Sequence, residues 1–260
     1  MERIFTKKLI ALPVIALMCT IQLAKAQYST KDSLSAAGRS IVKMNVAALL
    51  TKTFSFQYER AIGTRTSIAI GFRTMPKSGL PFKSKLEDLA DDGDIEARRT
   101  IRDSKLSNFA ITPEFRYYFG KGVFQGFYVA PFASFAKYSV ESPFEVDVPQ
   151  FNYKQNIVFQ GDIKTITGGI MIGAQWRMSK LVYLDWWIMG PHFGSSTGKL
   201  TGKQTLNAFE QEELRGQLSD LLDDLPIIKP TYSVDGNGAT IDLKGPWAGV
   251  RGGLAVGFRF

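Results

Sequence analysis

Apolar and polar side chains alternate at every second position in seven of eight short stretches of this chain, and that pattern limits the fold more than any other feature. The closing stretch, "GVRGGLAVGFRF" (249–260), sets Val250, Leu254, Val256, Phe258 and Phe260 against Arg251, Gly253, Ala255, Gly257 and Arg259. The stretch "NFAITPEFRYYF" (108–119) sets Phe109, Ile111, Phe115, Tyr117 and Phe119 against Asn108, Ala110, Thr112, Glu114 and Arg116. Residues 41–49, 53–61, 67–75, 165–177 and 182–190 alternate in the same way. Residues 127–140 are apolar on both faces, so their facing stays open. No helix-period repeat runs through these segments. The pattern predicts an all-β, antiparallel, up-and-down sheet of eight strands.

The connections order the strands. "IGTRT", "GKGVFQG" and "MSK" are short and fall at one end of such a sheet. Long connections at 76–107, 141–164 and 191–246 fall at the other end. An even strand number lets the sheet close with no exposed edge. Short turns at one end and long loops at the other are the pattern of a bacterial outer-membrane barrel, whose strands of about 9–11 residues cross the bilayer at a tilt.

Alternation alone does not say which face meets water. A soluble ligand-binding barrel would turn its apolar set inward. Here the polar set is rich in Gly and Ala, which a narrow lumen requires and water does not. It also carries both charge signs: Lys43, Arg73, Arg116 and Arg251 with Glu59, Glu114 and Asp185. These seven are expected to form a polar lumen network, either self-neutralised packing or an ion path. Tyr58, Phe119, Phe127, Trp176 and Phe258 lie near strand ends on the short-turn side, as an aromatic girdle would. Pro113 and Pro131 each remove a ladder donor, so a bulge or local irregularity is expected there.

Residues 1–26 read as a cleaved signal peptide. Arg3, Lys7 and Lys8 precede an apolar run, and Ala24 and Ala26 form an A-x-A-like cleavage site. Residues 27–39 form a short polar lead, and 40–260 the barrel. Cys19 is the single cysteine, so the mature chain gains nothing from disulfides. The formal charge of +8 falls to +5 once the leader, with four basic and one acidic residue, is removed. That excess is unclustered, and no nucleic-acid partner is expected. Mean hydropathy of −0.05 excludes a bundle of membrane-spanning helices.

The export leader, the closed eight-strand pattern and the terminal Phe260 together resemble outer-membrane barrels. Over roughly residues 40–260 the chain is similar to the small outer membrane protein A-type barrels. Its opening hairpin, "FSFQYERAIGTRTSIAIGF", resembles that of uncharacterised Bacteroidota barrels. The resemblance implies residence in the outer membrane of a Gram-negative bacterium, in contact with its lipid. It also implies that Phe260, with Phe258, Val256 and Leu254 on its face, is the assembly signal read by the barrel-assembly machinery. The archetype's cell-wall-binding domain is not expected here.

Chemistry-bearing candidates are sparse. No cofactor is expected, and one histidine without a mature cysteine offers no metal cluster. His192 with Ser195 and Glu210 would be the raw material of a lipid-modifying hydrolase. The spacing of His192 and Ser195 puts them on opposite strand faces, so no catalytic residues are assigned and His192 is read as an interfacial side chain. Residues 83–106 and 207–225 have helical character. In the second, Asn207 and Glu210 fit a capping box, and Phe209, Leu214, Leu218 and Leu221 lie on an apolar stripe. That stripe either packs on the barrel mouth or offers a surface to a protein partner. "TYSVDGNGATIDL" (231–243) reads as a hairpin. The expected function is a non-enzymatic structural or surface-interaction role through the loops, with a lipid-modifying enzyme or a narrow channel as alternatives.

Overall fold

The computed structural model describes residues 38–90, 95–148, 153–223 and 230–260. The expected signal peptide and most of the polar lead lie outside the described residues. Among these residues nine strands are present: β1 Ser40–Asn45, β2 Phe54–Ala61, β3 Thr66–Gly79, β4 Lys105–Tyr118, β5 Gly126–Val148, β6 Tyr153–Arg177, β7 Val182–Lys203, β8 Thr231–Asp235 and β9 Gly238–Arg259. Among the described residues, three α-helices join them: α1 Lys83–Leu89, α2 Ile95–Asp103 and α3 Ala208–Asp223.

The sheet is antiparallel and sequential, with order β1-β2-β3-β4-β5-β6-β7-β9-β8, and β9 also pairs with β1. The ring therefore closes on eight strands, and β8 is a short flap hydrogen-bonded to the far part of β9. Closure runs from Ile41↔Arg259 to Asn45↔Ala255. Beyond it, Phe260 N–H donates to Ser40 O at 2.9 Å and Ser40 N–H donates to Phe260 O at 3.1 Å. This is the all-β, up-and-down, eight-stranded barrel with helical connections that the alternation predicts.

The polar set faces inward throughout the lower barrel. Lys43, Gln57, Glu59, Glu114, Arg116, Gln175 and Asp185 are all buried. The apolar set faces outward: Phe56, Ile68, Phe72, Phe115, Ile170 and Phe258 are between 42% and 61% exposed. The outward positions stay apolar from Phe127 to Phe135 on β5, Trp176 to Ile166 on β6, Leu184 to Phe193 on β7, and Phe258 to Val250 on β9. At the next positions outward they turn polar, reaching Lys137, Lys164, Lys199 and Lys244. Lys137–Asp162 at 2.9 Å and Lys199–Asp242 at 3.3 Å pair across the outer face at this boundary.

Above the boundary the strands continue, which corrects the connections expected at 141–164 and 191–246. β5 runs to Val148, β6 begins at Tyr153, β7 runs to Lys203 and β9 begins at Gly238. β3 and β4 likewise extend into the 76–107 segment, leaving α1 and α2 between them. The physical reason is an exchange of faces. Below the boundary apolar side chains point out, whereas above it they point in. Val146, Val148, Ile157, Phe159, Ala239 and Ile241 form a second core against Leu214, Leu218 and Leu222 of α3. A single-phase search for outward apolar residues ends where this exchange begins. The wall is therefore lopsided, low along β1–β2 and tall along β5–β9. The expected hairpin at 231–243 is present, and its second arm is the upper end of the closing strand.

Two one-residue bulges set the phase. In β7, Trp187 pairs with Gly173 and Gly253 while Met189 pairs with Ile172 and Gly190 with Arg251, so Ile188 is the extra residue. Ile188 and Met189 both face outward, and Gly190 and His192 are thereby turned into the lumen. The other bulge lies in β3 between Met75 and Ser78. Pro113 produces no bulge: β4–β5 pairing is interrupted between Ile111↔Phe135 and Glu114↔Phe132 and resumes in the same register.

Candidate functional site

The lumen is built in three levels, described from the end that carries Ser40 and Phe260. The lowest is an aromatic plug. In the turn after β4, Phe124 adopts a left-handed backbone (φ 67°) that a non-glycine residue takes at a cost of roughly 1 kcal/mol. The turn is held by Val123 N–H donating to Thr64 O at 2.7 Å. Burial of the whole Phe124 ring offsets that cost. It packs edge-on to Tyr118 and Tyr183, each with centroids 6.3 Å away, under the Arg259 guanidinium at 5.4 Å. Arg259 also donates to Tyr183 Oη at 2.7 Å and Gly38 O at 2.6 Å.

The second level is ionic. Arg116 is fully buried and uses every donor. Its Nε and one terminal nitrogen reach Glu114 Oε2 at 3.1 and 2.9 Å, and that nitrogen also reaches Gln57 Oε1 at 2.8 Å. The other terminal nitrogen reaches Asp185 Oδ2 at 2.7 Å and Glu59 Oε2 at 3.3 Å. Lys43 donates to Asp185 Oδ2 at 2.5 Å and pairs with Glu59. Arg251 donates to Glu114 Oε1 at 2.5 Å. Three cations thus face three carboxylates. Tyr118 donates to Glu59 Oε1 at 2.6 Å and Tyr128 to Asp185 Oδ1 at 2.9 Å, satisfying carboxylate oxygens that the cations do not reach. Small residues make this possible: a Cβ on Gly173 would sit 2.3 Å from Tyr128 Oη.

The structure brings together six of the seven lumen residues expected from sequence: Lys43, Glu59, Glu114, Arg116, Asp185 and Arg251. It places Arg73 apart, at a higher level, donating to Asn108 Oδ1 at 2.8 Å and Tyr138 Oη at 3.3 Å. Tyr118, Tyr128, Gln57 and Gln175 complete the ionic level and were not singled out. Tyr118 continues the inward phase of Glu114 and Arg116, which was the available signal. Tyr128 lies on the stretch that is apolar on both faces, where no such signal exists.

The third level is a cup. A cavity of about 410 Å³ lies above the ionic level and reaches the turn at Ala47–Thr51 and Pro81, at the end opposite Ser40 and Phe260. Arg73, Arg251, Trp187, His192, Tyr138 and Trp247 are among its lining side chains, which include no Asp or Glu. Arg251 lies over the Trp187 ring at 4.5 Å and the Phe132 ring at 5.2 Å. His192 is thus a lumen residue rather than an interfacial one, because the Ile188 bulge turns it inward. Ser195 faces outward on the same strand, so these two do not form a dyad.

Outside the lumen, Phe119, Phe127 and Phe258 are 61–62% exposed at the terminal end, Tyr58 and Trp176 are half-buried beside them, and Trp176 stacks on Trp186 with centroids 6.4 Å apart. The outward Phe260 is 63% exposed. Of the two readings of the α3 stripe the structure shows packing rather than a partner surface: Leu214 and Leu218 are buried, Phe209 is partly buried against the same core, and Leu221 alone of the four is exposed. An extended inner sheet face, built from the upper parts of β5, β6 and β9, covers them.

Comparison with solved structures finds the N-terminal β-barrel domain of Pseudomonas aeruginosa OprF, 10% identical, with a TM-score of 0.27, covering 86% of this chain and 99% of that domain. The fold described above rests on its own strand pairing rather than on that overlap. A comparison with curated proteins finds no match. A family model described as "Protein of unknown function (DUF3575)" matches residues 14–190, and the chain belongs to that family.

Proposed function

We propose that this chain is an integral barrel of the outer membrane of a Gram-negative bacterium, exported by the leader at residues 1–26. Its role is structural or surface-interacting rather than enzymatic. The observation that carries this reading is the outward apolar belt with its sharp charged upper border. A belt of about 9–11 residues per strand, tilted, matches a hydrocarbon layer about 25 Å tall. Water offers no reason for large apolar side chains to clothe the outside of a barrel whose inside is ionic. Short turns and termini then lie on the periplasmic side, and the tall wall with α3 stands outside the cell. The Phe260 strand is the segment engaged by the barrel-assembly machinery, and a protein partner would meet the exposed upper wall rather than the α3 stripe.

Membrane fractionation followed by gels of boiled and unboiled samples tests this reading. A heat-modifiable band in the outer-membrane fraction is expected, and recovery in the periplasmic soluble fraction overturns it. The channel alternative is disfavoured by the neutral ionic level and the Phe124 plug, which fill the lumen below the cup. Planar-bilayer recordings are expected to give no discrete conductance steps.

A further inference from the structure

We propose that the cup is a binding site for a small hydroxylated carboxylate of monosaccharide size, a sugar acid, with Arg73 as the residue that takes its charge. The cup is blind, because the ionic level and the plug close it below. A ligand enters and leaves by the far end only, which is the geometry of a receptor rather than a conduit. At about 410 Å³ it holds one ring.

Its chemistry is one-sided. Arg251 is matched by Glu114, but Arg73 has no carboxylate within ion-pair distance among the described residues. Asn108 and Tyr138 engage one edge of its guanidinium and leave other N–H groups for a ligand. A guanidinium with spare donors in a walled cavity favours a carboxylate, which it binds through paired, charge-assisted hydrogen bonds. The Trp187 indole N–H is an independent pointer: the residue is 3% exposed, lines the cup, and Nε1 has no partner. His192 Nδ1 is likewise unpartnered. Buried polar atoms are almost always satisfied, so the indole N–H calls for an acceptor and the imidazole nitrogen for a donor or an acceptor, both of which a hydroxyl supplies. The hydroxyls of Thr112, Ser134, Thr165 and Thr167 line the same wall and suit a ring that both donates and accepts. Tyr138 and Trp247, with centroids 5.2 Å apart and planes at 36°, offer flat faces to the apolar side of such a ring.

Titration calorimetry on the purified full chain in detergent micelles tests the site wherever the barrel resides in the cell, so its outcome is separate from that of the localisation experiment. The probe is glucuronate, with glucose supplying the ring without the charge and acetate the charge without the ring. Saturable heat of one glucuronate per chain is expected, with both comparators at least tenfold weaker. Arg73→Gln should weaken glucuronate at least tenfold while the heat-modifiable gel shift persists. Arg73→Lys, which keeps the charge, should lose less, and it decides the case if Arg73→Gln does not fold. Absence of saturable heat at millimolar glucuronate overturns the site. Equal binding of glucose overturns the anionic assignment, and equal binding of acetate overturns the hydroxylated one. An unchanged affinity in both Arg73 variants overturns the role of that residue.

Discussion

Arg116 is held from five directions by carboxylates and an amide, and none of those partners reaches water. Replacing it with Met leaves Glu59, Glu114 and Asp185 facing only Lys43 and Arg251. Removing one partner from a buried ionic cluster costs about 3–5 kcal/mol, since the stranded charge keeps its desolvation penalty. Arg116→Met should therefore lower the urea midpoint of the refolded barrel by that equivalent. An unchanged midpoint would mean that the cluster admits water. A second Arg116→Met chain carrying Asp185→Leu should regain part of the loss, because two cations then face two carboxylates. The ionic residues were legible in the sequence because each occupies the polar phase of a clean alternation. His192 was harder to place, since the extra residue at Ile188 shifts the phase after Trp187 and composition does not announce a bulge.

The helix α3 shows what sequence reveals about an element and what it hides. Its start was legible: Asn207 Oδ1 accepts from Phe209 and Glu210 N–H, both at 2.9 Å, and Glu210 Oε2 accepts from Asn207 N–H at 2.7 Å. Its destination was not, because the sheet that receives it has its apolar face reversed relative to the belt below. Leu218→Ala removes a side chain that is 1% exposed and should cost about 2–5 kcal/mol of local stability. Asn207→Ala should cost about 1 kcal/mol. Limited proteolysis within 204–230 checks both: cleavage should accelerate, most for Leu218→Ala, while the barrel's gel shift stays intact. The β3–β4 connection is pinned differently. Glu141 on β5 pairs with Lys77 and with Lys105 at 2.9 Å, and those hydrogen bonds hold its carboxyl down to about 2 from an ordinary 4.5. A depressed carboxylate stabilises the fold above its ordinary value and loses that contribution as pH falls toward its folded one. Protection factors at the ends of β3 and β4 should therefore fall between about pH 4.5 and 2. In Glu141→Gln they should already be low at neutral pH, with no such step.

At the scale of the whole molecule, the belt separates a membrane barrel from a soluble one. Ile170 is 55% exposed in the middle of that belt. Ile170→Arg should cost about 2–4 kcal/mol of stability in lipid vesicles, as a cation at the bilayer midplane does. A cost near zero would place that face in water.

The two edges of β9 are unequal. One edge is bonded to β7 from Val182 to Lys203, whereas the edge facing β1 is bonded, among the described residues, only from Ser40 to Val46. The short latch also joins opposite ends of the polypeptide, so it forms against the largest entropy of loop closure in the molecule. Amides of Ile41–Asn45 should accordingly exchange before those of the β7–β9 partnership. The cylinder would then part like a cuff along one short fastening, while the tall half stays standing.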